Sequence, residues 1–186
     1  MGVSTADENL MITKSKEQRR TAALAYWRYA QDHLRAARAL CTKNELSPAE
    51  AQPLYHLAAQ ALEFALKAFL RARGVPPDAT LDAYTCALDR ALDDAIARGL
   101  PAPTPRLMAA ARALAAHHRP EAFLRLDEDS AATTELACFF EMAHWTLDAI
   151  VPLVAEDYTT HYADVATPSK ESFMLRLRAE LSVEAA

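Results

Sequence analysis

Glycine is scarce, with three in 186 residues. Tight hairpin turns lean on Gly and Asn-Gly pairs, so a meander or barrel of short strands is disfavoured. A Gly-rich phosphate loop is excluded as well, since no Walker, GxGxxG or GxSxG pattern occurs. Cysteine is as rare. Cys41, Cys86 and Cys138 are odd in number, far apart and in no CxxC pair. That argues against a disulfide framework or a zinc site, and reads as three reduced, mostly buried thiols. The first sixteen residues lack the apolar core of a signal peptide, and no apolar run reaches the roughly 18 residues of a membrane span. These absences lead to the expectation of a cytoplasmic protein with no membrane segment, no cofactor and no metal.

What is abundant is alanine, leucine, arginine and glutamate, the strong helix formers. The chain is long enough to bury a core without a staple. Its net charge of −5 is unevenly spread. Residues 1–43 carry eight Lys or Arg against four Asp or Glu, and residues 101–126 four against one. Residues 127–186 carry three against twelve. The acidic total argues against a protein that coats duplex DNA, yet the two basic stretches can form a local site if they meet in the fold.

Periodicity predicts an all-α fold, an antiparallel up-and-down bundle of about five helices. Residues 1–16 are polar and aperiodic and read as a flexible lead. The bundle occupies 17–156, and 157–186 is a tail with a short helix around Ser172–Leu181. The first helix is expected over Glu17–Thr42, with Leu24, Trp27, Ala30, Leu34 and Ala37 on one face. Ser47-Pro48 is a start signal for the second, which ends at Gly74. A third over Leu81–Arg98 stops at Gly99, and a fourth over Thr104–His118 stops before Pro120. The fifth spans Ala131–Ala155. On the second helix His56, Gln60, Glu63 and Lys67 fall within about 60° of one another, opposite the apolar face, as an interhelix or surface polar line.

That second helix, His56-Leu-Ala-Ala-Gln-Ala-Leu-Glu-Phe-Ala-Leu-Lys-Ala-Phe-Leu-Arg-Ala-Arg-Gly74, resembles the signature helix of the HEPN family (higher eukaryotes and prokaryotes nucleotide-binding domain). The aromatic run Tyr26-Trp27-Arg28-Tyr29 on the first helix is similar too, and the resemblance covers about residues 20–155. It implies a homodimer that binds RNA, and an Arg-x4-6-His motif that cleaves it without metal. Here that motif is Arg112-Ala-Leu-Ala-Ala-His117, with His118 as the second choice. Arg119 and Arg125 are then phosphate-gripping accessories. His56, Gln60, Glu63 and Lys67 are structural or interface residues. Relatives that lack the motif bind a protein partner such as a nucleotidyltransferase or an antitoxin. The chain departs from active relatives in two places: Ala113 follows the Arg where a polar residue is usual, and Cys86-Ala87-Leu88 stands where many carry His-Asp-Leu.

Metal-free RNA cleavage needs a base, an acid and a cation for the phosphorane. Histidine and arginine supply these. Residues five apart on a helix point about 140° apart, so Arg112 and His117 do not share a face; the two-fold dimer that the resemblance implies would converge them by supplying one residue from each side. His117, His118 and Arg119 equally suit the C-terminus of an exposed helix. Tyr26, Trp27 and Tyr29 suit base stacking or the core. Glu141-Met-Ala-His144 matches one half of a ferritin-type metal motif but has no second copy.

Overall fold

The structure, a computed structural model, describes residues 5–41, 46–76, 84–118, 132–161 and 169–182. Among the described residues it is all-α, with six helices. They are α1 (Thr5–Leu40), α2 (Pro48–Ala72), α3 (Leu88–Ala97), α4 (Pro105–His117), α5 (Ala132–His161) and α6 (Lys170–Ser182). The helix α1 packs on α2 and α5, while α2 also meets α3 and α4; α5 carries α4 and α6.

Local chemistry explains the boundaries. Ser47 accepts from the Glu50 amide, and the Glu50 carboxylate accepts from the Ser47 amide at 3.0 Å, so α2 opens with a reciprocal capping box. Pro48 sits in its first turn. Gly74 and Gly99 end α2 and the α3 turn at φ +84° and +95°, a backbone region that L side chains rarely adopt. Thr104 caps α4 through the Leu107 amide.

Three elements differ from the sequence reading. The helix α1 begins at Thr5, within the stretch expected to be an aperiodic lead, because residues 5–40 contain no Gly or Pro to stop a helix once formed. The start of α3 is Leu88 rather than Leu81. A turn at Tyr84–Cys86 precedes it, and Cys86 takes the left-handed φ of 57°, which a helix cannot include. The last turns of α5 run past Ala155 to His161; Pro152 removes one amide donor, and the Thr159 hydroxyl donates back to the Ala155 carbonyl.

The core gathers Trp27 and Leu34 from α1, Leu62, Leu66 and Leu70 from α2, Leu92, Leu114, and Phe139 with Leu147 from α5. Trp27 is fully buried, and its indole N–H donates to the Leu147 carbonyl at 3.3 Å, tying α1 to α5 across the core. In α6, Phe173, Leu177 and Leu181 recur every four residues and are buried. Phe173 stacks on Tyr158 of α5 at 4.4 Å, so the tail helix is docked on the bundle. Against the expectation that no stretch reaches span length, Leu136–Thr160 of α5 is long and apolar enough by length and composition. Leu136, Phe139, Ala143, Leu147 and Val151 spend that hydropathy on the core, the ordinary reason for such a helix in a packed protein.

Candidate functional site

The polar line on α2 does not face solvent. Glu63 is 2% exposed and Lys67 6%, because the Tyr84–Cys86 turn and the C-terminal end of α4 cover the side that the apolar face leaves over. A carboxylate taken this far from water requires partners on both oxygens. Lys67 Nζ donates to Oε1 at 2.7 Å. The Cys86 amide donates to Oε2 at 3.0 Å, and His118 Nε2 lies 2.6 Å from the same oxygen. Burial pushes the Glu63 carboxyl up, but hydrogen bonds from His118, Lys67 and the Cys86 amide outweigh it and hold it below the usual range. An ionised carboxylate only accepts, so the proton between it and His118 belongs on Nε2. Lys67 in turn donates to the Thr85 hydroxyl at 2.9 Å. Three segments far apart in sequence are thus clamped by one side chain.

His118 caps the end of α4 and is 2% exposed. Its Nδ1 is buried with no hydrogen-bond partner among the described residues. The His56 ring lies 5.8 Å from it, centre to centre. Burial first, then the neighbouring His118 and His33, push the His56 pKa below the ordinary histidine value, with Glu63 opposing. Cys86 is half-buried, and burial together with Glu63 pushes its thiol up, so it is not an activated nucleophile. Its sulfur, a Glu63 carboxylate oxygen and a His118 ring nitrogen lie within 4.8 Å of one another.

Arg112 is not part of this cluster. Its guanidinium donates to Asp89 at 2.8 Å and to Asp93 at 2.5 Å, both on α3. Those bonds raise its pKa further above the ordinary arginine value, Asp93 first. The backbone of His117 closes α4, while its side chain lies outside the described residues, as do Arg119 and Arg125. Gln60 is half-buried on α2. Glu141, of the Glu-x-x-His step, is half-exposed and pairs with Arg106 at 2.9 Å. The three cysteines are all half-buried rather than mostly buried.

A second feature lies on α1. Tyr29 is 54% exposed and Leu40 59%, and eleven residues on a helix bring them back to the same side. His33 and Ala36 continue the line between them. Phe64 of α2 flanks it, with ring centres 5.9 Å from Tyr26, 5.9 Å from Tyr29 and 5.1 Å from His33. Of the three aromatics singled out in the sequence, Trp27 is core, Tyr26 half-buried and Tyr29 open.

No protein-family model, curated protein or solved structure matches this chain. The fold and the site therefore define a class by their own features: an all-α protein whose central helix carries a buried Glu–Lys–His cluster. Sequence reasoning did not find Thr85 and Cys86 as parts of that cluster. The only signal was the departure at Cys86-Ala87-Leu88, which falls where the turn hands over to α3.

Proposed function

We propose that this chain is a HEPN-like homodimeric binding module that engages a protein partner and does not cut RNA. The observation that carries the reading is a contrast. Two of the candidate catalytic groups are engaged within the chain, Arg112 by two carboxylates and His118 by buried Glu63, while the stripe of Tyr29 and Leu40 on α1 stays exposed among the described residues. A phosphate-gripping arginine has to exchange strong charge-assisted bonds before it can bind, and a histidine 2% exposed does not reach a ribose hydroxyl.

The stripe suits a second copy of the chain. Tyr29 and Leu40 are separated by about 16 Å along the helix, at 1.5 Å per residue. Two α1 helices crossing about a two-fold axis would set Tyr29 of one against Leu40 of the other, with small Ala36 near the centre where the backbones approach. Asp32 and Arg35, already paired at 3.5 Å beside the stripe, supply opposite charges to either side of such an axis.

The test joins light scattering with an RNA cleavage assay in chelator. The native chain is expected as a dimer without cleavage, and the Tyr29→Glu/Leu40→Glu double variant as a folded monomer. A native monomer overturns the dimer. Cleavage that falls with Arg112→Ala returns the metal-independent nuclease, with Arg112 and His117 as its site.

A further inference from the structure

The buried cluster contains more donors than the ion pair uses. Glu63, Cys86 and His118 come from α2, from the turn before α3 and from the cap of α4, and bring oxygen, sulfur and nitrogen within 4.8 Å of one another. We propose that these three side chains form a site for one borderline-soft divalent cation of the zinc class.

The donor set selects that class. Thiolate and imidazole favour zinc over calcium or magnesium, which take oxygen shells. Donors at roughly 2.0–2.3 Å from one tetrahedral ion stand about 3.4–3.7 Å apart. The present separations, from 2.6 Å between His118 and Glu63 to at most 4.8 Å, reach that range by small side-chain movements. On binding, the ion takes the Nε2 position, the neutral imidazole carries its single N–H on Nδ1 instead, and the thiol proton leaves to solvent. Carboxylate and thiolate then cancel the charge of the ion in a site that excludes most water.

The surroundings are already arranged for it. Lys67 holds Oε1, so the carboxylate presents one oxygen, and Thr85 fixes Lys67 from the far side. The Cys86 amide is pinned to Oε2, and its backbone is held at φ 57°, a conformation uncommon outside glycine, which keeps this residue beside the carboxylate. Cys86 is the half-buried member, so the fourth coordination position opens on its side, as in three-donor zinc centres.

Cobalt(II) reads the site directly. The full, untagged chain, stripped with chelator and kept reduced, would be titrated with Co²⁺. The expected result is one equivalent bound, a thiolate-to-cobalt charge-transfer band, intense visible bands of four-coordinate cobalt, and bleaching by Zn²⁺. Substitution of buried Glu63 or His118 risks the fold, so the half-exposed ligand carries the test. Cys86→Ser should stay helical, lose the charge-transfer band and weaken zinc binding at least about tenfold. Cys41→Ser and Cys138→Ser should keep the band. A native chain with no thiolate band, or a band that survives Cys86→Ser, overturns the proposal.

Discussion

Replacing Glu63 by alanine removes the one acceptor that Lys67, His118 and the Cys86 amide share. The side chains of Lys67 and Glu63 are 8% and 3% exposed, so water does not step in to solvate what is left. Stranding a buried ammonium in this way costs about 3–5 kcal/mol. Against a typical total of roughly 5–15 kcal/mol, that is a large part of the stability. The surface ion pairs offer the contrast. Arg112 is 39% exposed and Asp93 60%, so Arg112→Ala should cost under about 1 kcal/mol. Equilibrium unfolding in urea, followed by the fluorescence of Trp27 and Trp145 with chelator present, measures both. Glu63→Leu combined with Lys67→Met should recover part of the loss, because it removes both charges together. A Glu63→Ala penalty below about 1 kcal/mol would refute the reasoning, since it would mean that the cluster is hydrated.

Acidification should lower stability in two stages. The His56 pKa is depressed, so the unfolded chain takes up a proton first and stability begins to fall below the ordinary histidine value of 6.5. The Glu63 pKa is depressed too, so its contribution, complete above the ordinary 4.5, disappears as pH drops through the lower folded value. Urea midpoints from pH 7.5 to 2.5 check the order, and Glu63→Gln should shrink the second stage, leaving the part due to exposed carboxylates such as Glu156. Ser47→Ala deletes the acceptor for the Glu50 amide and should cost about 1 kcal/mol without changing the denaturant slope.

The helical class was legible because Trp27, Ala30 and Leu34 on α1, Leu62, Ala65 and Phe69 on α2, and Leu136, Phe139, Ala143 and Leu147 on α5 repeat at helical spacing, and because Ser47-Pro48, Gly74 and Gly99 punctuate the chain. The site was less legible. Periodicity places Glu63 and Lys67 on the side of α2 away from its own apolar stripe, but it does not say that another element covers that side. Here the Tyr84–Cys86 turn and His118 do so, from 23 and 55 residues away. No local spacing encodes a contact that depends on how α3 and α4 return to α2. The Arg112 partners were hidden for the same reason, since Asp89 and Asp93 lie a helix away. The α1 stripe is a residue of this arithmetic: Tyr29 and Leu40 stay more than half exposed among the described residues, with Phe64 touching only one side of Tyr29.

The central position of α2 has a consequence for how this protein can change over generations. Its side chains meet α1, α3, α4 and α5, so few of its positions can vary without disturbing a neighbour. Variation costs the folded bundle itself least on the outward sides of α1 and α6, at exposed residues such as Tyr29, Leu40 and Leu175. Substitutions on those faces change what the surface presents while leaving the Glu63 clamp of the interior in place.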